Sequence, residues 1–87
     1  MHKRIVFDGK GFEDYLYWQT QDRKTLKRIN QLLIDIDRNG NEGMGKPEWL
    51  RYEQGFWSRR IDEEHRLIYK IDKDAIHVIQ CRHHYDA

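Results

Sequence analysis

The stretch Gly55-Phe-Trp-Ser-Arg-Arg-Ile-Asp-Glu-Glu-His-Arg-Leu-Ile-Tyr69 decides how the rest of the chain is read. Its β-branched and aromatic residues form two short runs, and Asp62-Glu63-Glu64 between them reads as a polar turn. Toward the carboxy terminus a second acidic turn, Asp72-Lys73-Asp74, precedes a third run. The spacing predicts a β-meander with strands over residues 55–61, 65–71 and 75–81. If both turns hold three residues and are symmetric, residues of equal parity share a face. The odd face then carries Trp57, Leu67, Tyr69, Ile71, Ile79 and Cys81, a surface for helices to cover. The even face carries Ser58, Arg60, Arg66, Ile68, Val78, Gln80, Arg82 and His84. Polar groups therefore gather on the side away from the helices, and a one-residue slip in either turn would scramble that assignment.

Working back toward the amino terminus, Arg4-Ile-Val-Phe7 is a short β-rich run broken by Asp8-Gly9. Phe12, Tyr15, Leu16 and Trp18 recur at near-helical spacing. Tyr17 and Trp18 fall on different sides of that helix; partial burial is the default for both, and an exposed member would be free to serve a partner. Asp22 is placed to cap a second helix, although Arg23-Lys24 is the wrong charge for a first turn. Leu26, Ile29, Leu33 and Ile36 step by three and four, with Leu32 widening the stripe, and read as core. Arg38-Asn-Gly-Asn-Glu-Gly-Met-Gly45 ends this helix in a flexible loop, and Pro47 stiffens the chain just before Glu48. The predicted architecture is one α+β domain over residues 1–87, ordered β-α-α-β-β-β, with an antiparallel sheet and both helices on one face.

Bulk composition is consistent with that size. Eighty-seven residues, 38% hydrophobic and 36% charged, suit one modest core, and five Tyr and three Trp add buried area. No apolar run approaches the roughly 20 residues of a membrane span, and no signal-peptide pattern opens the chain. The lone cysteine, Cys81, excludes an internal disulfide and reads as a buried strand residue of a reduced, cytoplasmic protein. Net charge is only +1, so composition alone does not announce a nucleic-acid binder, and no recognition helix suggests a free-standing DNA-binding regulator.

Several residues carry chemistry. A carboxylate beside a proline, as at Glu48, can be held rigidly while partly desolvated, which suits a general base, although an ordinary surface glutamate is the commoner reading of such a loop residue. Arg66 shares a parity class with Arg60, and an anion between two guanidiniums would relieve their repulsion. The competing reading is an ion pair between Arg66 and Glu63, Glu64 or Glu48. His83 and His84 end the last strand, and either imidazole could donate a proton to a leaving oxygen. No metal-ligand spacing accompanies them. Tyr85 could position a phosphate, stack on a base or close the core edge. Lys46, Arg51, Arg59 and Arg60 are candidate RNA-backbone contacts by charge and location.

The motifs Asp14-Tyr-Leu-Tyr-Trp18, Lys27-Arg-Ile-Asn30, Gly43-Met-Gly-Lys-Pro-Glu48, Gly55-Phe-Trp-Ser-Arg-Arg-Ile61, Glu64-His-Arg-Leu-Ile-Tyr69 and Cys81-Arg-His-His-Tyr85 span nearly the whole chain in order. In this combination the sequence closely resembles the Txe/YoeB family of RelE-type toxins from bacterial toxin–antitoxin pairs. The resemblance implies a RelE-like fold and ribosome-dependent cleavage of mRNA in the ribosomal A site, with no metal or other cofactor. It implies Glu48 as general base, Arg66 as the transition-state cation, His84 as general acid and Tyr85 as a residue that positions the scissile phosphate. His83 stands where another aromatic is familiar and is a rival acid, and Asp86-Ala87 extends the chain beyond the His-Tyr pair. The implied partners are a cognate antitoxin (YefM/Axe-like, Phd-type), the bacterial ribosome with its mRNA, and a second toxin copy. Operator DNA would be reached only through the antitoxin, and no membrane is involved. A non-catalytic ribosome- or antitoxin-binding module of the same fold is the alternative.

Overall fold

The structure, a computed structural model, describes residues 2–51 and 54–84. Strand β1 (Arg4–Phe7) is followed by helices α1 (Gly9–Gln21) and α2 (Arg23–Asn39), then β2 (Glu48–Trp49), β3 (Phe56–Arg60), β4 (Arg66–Ile71) and β5 (Ala75–Gln80). The helices meet at Asp22. Its carboxylate accepts from the Lys24 and Thr25 amides and the Thr25 hydroxyl, satisfying donors that a helix start leaves open.

The strands form one sheet in the order β1-β5-β4-β3-β2. It is antiparallel from β2 to β5, but β1 joins β5 in parallel. The sheet is thus mixed rather than wholly antiparallel, because the helices carry the chain to β2 at the far edge and the meander then brings β5 back beside β1 in the same direction. The two-residue β2 also adds a strand where the sequence reads as loop.

The two turns behave differently. Arg60 pairs with Arg66 and the Ile61 amide donates to the His65 carbonyl, so residues 62–64 form the expected three-residue turn. Beyond β4, Ile71 pairs with Ile76 and the Asp72 amide donates to Ala75, leaving a two-residue turn at Lys73 and Asp74. The leading aspartate of each turn caps it in the same way, Asp62 accepting from the Glu64 and His65 amides and Asp72 from the Asp74 and Ala75 amides. The missing residue flips the start of β5, so Ile76 and Val78 enter the core and Val78 does not lie on the polar face. A register shift between Ile68 and Tyr69 on the paired strand then restores the expected parity, with Ile68 opposite Gln80.

Trp18, Ile29, Leu32, Leu33 and Ile36 from the helices pack on Leu67, Tyr69, Ile76, Val78 and Cys81. Trp18 is the inward member of the Tyr17–Trp18 pair, while Phe12 and Leu16 stay exposed. Helix α1 lies hard against β5: a Cβ on Gly11 would stand 2.3 Å from the Val78 carbonyl oxygen, so no larger residue fits without moving the helix.

Arg59 is the principal correction to the sequence reading. It is completely buried on the helix-covered side, so it cannot be an RNA-backbone contact. Its guanidinium pairs with Asp35 and donates from Nη1 to the Met44 carbonyl at 2.8 Å. Nη2 donates to the carbonyls of Gly40 at 2.6 Å and Glu42 at 2.8 Å, and Nε to the Tyr69 hydroxyl at 3.2 Å. All five N–H groups are thereby used. The Tyr69 hydroxyl passes the chain on to Asn41 at 3.0 Å. Gly43, at φ +119°, completes the wrap, since a Cβ there would stand 2.2 Å from an Asp35 oxygen.

Burial pushes the Asp35 carboxyl upward, but hydrogen bonds from Arg59, Asn39 and the Met44 amide outweigh it and hold the group below its ordinary 3.8. A depressed folded-state value gives stability that is complete above 3.8 and is lost as pH falls through the lower folded-state value. Asp35→Asn strands the Arg59 charge in the interior and should cost about 3–5 kcal/mol at neutral pH. Urea unfolding across a pH series should show the gap to wild type closing as the medium becomes more acidic than 3.8.

Candidate active site

Glu48 reaches its position through the loop that wraps Arg59. The Gly45 carbonyl accepts from the Arg60 amide at 2.6 Å, Lys46 takes a left-handed backbone at φ +49°, and Pro47 leads into β2. There Glu48 pairs with Ser58 and Trp49 with Trp57. Alternation along the strand sends Glu48 to the side of Ser58, away from the helices, and Trp49 to the other side, where it is 59% exposed. Glu48 is itself exposed in the free chain rather than partly desolvated, because β2 is a two-residue strand at the sheet edge.

Arg66 lies on β4 directly opposite Arg60. Like charges face to face destabilise a strand pair. Neither finds a full set of partners: Arg60 Nε and Arg66 Nη1 are buried and unbonded among the described residues. An unmet buried donor costs about 1–3 kcal/mol. No carboxylate pairs with Arg66 among the described residues, so the ion-pair reading is not what the structure holds there.

The segment after β5 is pinned residue by residue. The Cys81 amide donates to Asp14 at 3.0 Å and its carbonyl accepts from Trp18 Nε1 at 2.8 Å. Cys81 is buried, as the sequence suggests, and burial with the nearby Asp14 charge pushes its thiol up to about 12. Arg82 lies over the Tyr17 ring, 3.5 Å from its centroid, which occupies a guanidinium that parity assigns to the polar face. The His83 amide donates to His65 Nδ1 at 2.7 Å, and the His83 carbonyl accepts from the Arg66 amide at 3.1 Å. Gln80 Nε2 clips the carbonyls of Arg82 and His84. His83 holds a left-handed backbone at φ +66°, a conformation that costs a non-glycine residue about 1–3 kcal/mol and persists when surrounding bonds over-determine it.

These three routes converge. Glu48, Leu50, Ser58, Arg66, Ile68 and His84 line one open hollow of about 170 Å³. It contains a carboxylate, an incompletely bonded guanidinium and an imidazole on a floor of Ser58 and Ile68, both buried. Of the two adjacent histidines, His84 lines the hollow and His83 turns toward His65, their ring centroids 5.6 Å apart. Lys46 and Arg51 are exposed and Arg60 half-buried, all outside the lining. Tyr85 lies outside the described residues. The sequence reading overlooked Leu50 and Ser58 as lining groups. Ser58 was legible from parity with Arg66, but its meeting with Glu48 needs the short β2. A larger groove of about 420 Å³ between α1 and α2, lined by Tyr15, Gln19, Arg23, Leu26, Lys27 and Asn30, offers no carboxylate or histidine. Among the described residues no three His, Cys, Asp or Glu side chains gather as a metal site requires.

Residues 7–85 match the family described as YoeB-like toxin of bacterial type II toxin-antitoxin system. A curated Toxin YoeB of Streptomyces coelicolor is 51% identical over 83 residues, covering 94% of this chain and 99% of the relative. The solved YoeB dimer from Staphylococcus aureus superposes with a TM-score of 0.94 at 48% identity, covering 98% of this chain and 100% of that one. A heterotetrameric YoeB-YefM toxin-antitoxin complex from the same organism superposes with a TM-score of 0.89, also at 48% identity and the same coverage.

The incompletely bonded guanidinium has a measurable signature. Arg66→Met removes both the unmet donor and the repulsion from Arg60, so the free protein should be at least as stable as wild type, by about 1 kcal/mol in its favour. Thermal unfolding compared with isothermal titration of an RNA analogue should show stability kept and anion affinity lost; a loss of stability would mean Arg66 serves the fold.

Proposed function

The chain belongs to the YoeB-like toxin family of bacterial type II toxin–antitoxin systems, and on that premise we propose that it is a ribosome-dependent mRNA endoribonuclease. The observation that carries the reading is the shared hollow of Glu48, Arg66 and His84, with a buried Arg66 donor still unbonded among the described residues. Cleavage of RNA by its own 2′-hydroxyl needs three services at one phosphate. A base takes the 2′-proton, a cation offsets charge on the phosphorane oxygens, and an acid protonates the departing 5′-oxygen.

In this scheme Glu48 is the base, Arg66 the cation and His84 the acid. Covering the hollow with RNA excludes water from the reacting groups. Arg66 presents a fork suited to two phosphate oxygens, and its bonds are completed only when an anion arrives. Tyr85, next to His84, would position the scissile phosphate. Lys46, Arg51 and Arg60 remain the candidates for flanking backbone contacts. Lys46 and Arg51 stand either side of Glu48 in sequence, and Arg60 stands opposite Arg66.

Cleavage would take place on mRNA in the A site of the bacterial ribosome and stop translation. The YefM partner of the S. aureus complex points to an antitoxin of similar kind for this chain, and the S. aureus dimer points to self-association. Operator DNA would be reached through the antitoxin. No helix among the described residues is long and apolar enough to cross a membrane, and a cytoplasmic site of action follows from the ribosomal substrate.

Glu48→Ala and His84→Ala should each lower the rate of cutting of ribosome-bound mRNA by about 10²–10⁴-fold while leaving the fold intact. Primer extension across the stalled transcript gives the rate. Translation arrest with uncut transcripts would instead identify a non-catalytic blocker.

A further inference from the structure

His65 sits outside the hollow, yet its ring bonds the backbone of His83, the residue next to His84. His65 is buried at 9% exposure, one residue before Arg66. Its backbone amide donates to Asp62 Oδ1 at 2.7 Å, and its ring stands edge-on to Trp18 at 4.8 Å between centroids. Nδ1 accepts the His83 amide at 2.7 Å, while Nε2 faces Glu64 Oε2 at 3.3 Å. An amide can donate only to a ring nitrogen that carries no proton. The ring proton therefore belongs on Nε2, toward Glu64, and its other neighbours are the His83 ring and Trp18.

The consequence lies at His83. Its left-handed backbone sets a turn in which His83, itself exposed, lies beside the His65 ring while His84 lines the hollow. Two bonds from consecutive residues hold that turn: the His65 ring takes the His83 amide and the Arg66 amide feeds the His83 carbonyl. The strand that carries the transition-state cation thus also sets where the acid stands. We infer that His65 is a positioning residue, whose Nδ1 fixes the His83 turn and so presents the His84 imidazole to the scissile phosphate. The inference rests on the nuclease reading above and adds to it a residue with no contact to RNA.

Two substitutions separate this role from packing. His65→Phe keeps a ring against Trp18 but deletes the acceptor. His65→Asn shrinks the side chain but keeps an acceptor at the δ position. Cleavage of ribosome-programmed mRNA, normalised to the folded fraction, should show kcat reduced about tenfold or more in His65→Phe with KM little changed. His65→Asn should stay nearer wild type. Hydrogen exchange at the His83 amide should follow the same order, protected in wild type and His65→Asn and open in His65→Phe. A packing role alone would reverse the ranking, and that reversal, or wild-type kcat in His65→Phe, overturns the inference while leaving the nuclease reading in place. A wild type that does not cleave removes both. Without any variant, ¹⁵N spectra of the wild-type ring should show the proton on Nε2, and a proton on Nδ1 also overturns it.

Discussion

The structure depends on one buried cation. Arg59 points from β3 into the side of the sheet that the helices cover, and every N–H of its guanidinium is taken. Three of its partners are main-chain carbonyls of the loop between α2 and β2. A run rich in glycine and asparagine has little conformational preference of its own, so its path is set by what it wraps. Asp35 supplies the counter-charge, without which burial of the guanidinium would be prohibitive. The glycines at Gly43 and Gly45 let the backbone close around this pair, and Gly45 in turn bonds the Arg60 amide on the same strand. The end of the wrap is Pro47-Glu48, delivered against Ser58.

Stability and chemistry are therefore divided between neighbouring arginines. Arg59, facing the helices, is fully satisfied, whereas Arg60 and Arg66 face the other way with donors unmet among the described residues. A fold selected for stability alone would replace a half-buried, repelling, under-bonded pair with apolar groups. The local cost is understandable if the missing partner is a phosphate that arrives with substrate. The segment after β5 shows the same division. Cys81 is locked to Asp14 and Trp18, and Arg82 is laid on Tyr17, so that His84 emerges from a rigid base.

Much of this was legible in the residues, and the failures have physical causes. The stripe from Leu26 to Ile36 and the Asp22 cap gave α2 its place, because helix periodicity and capping are local effects. The α+β order and the turn at residues 62–64 followed from the same kind of evidence. The second turn was misjudged by one residue: Asp72 closes on Ala75 through the backbone and Ile71 pairs with Ile76, a register that residue counting does not fix. Arg59 was misread because charge suggested solvent, although its odd parity already placed it with Trp57 and Leu67 on the core face. β2 was missed because two residues carry no periodicity; it exists through pairing with β3. The meeting of Glu48, Arg66 and His84 at one hollow was anticipated through family likeness, since no local pattern joins residues so far apart in the chain.

The central claim is that a carboxylate from the Arg59-bound loop and an imidazole from the pinned tail act on one phosphate through the adjacent ribose hydroxyl. The most direct measurement places a single 2′-deoxy nucleotide at the cleavage position of a ribosome-bound mRNA and analyses the ends of the products. The account requires that the deoxy transcript stay whole, and that the all-ribose transcript yield a 5′-hydroxyl fragment and a 2′,3′-cyclic phosphate. Cutting of the deoxy transcript at the same position, or a 5′-phosphate on the downstream fragment, would contradict it.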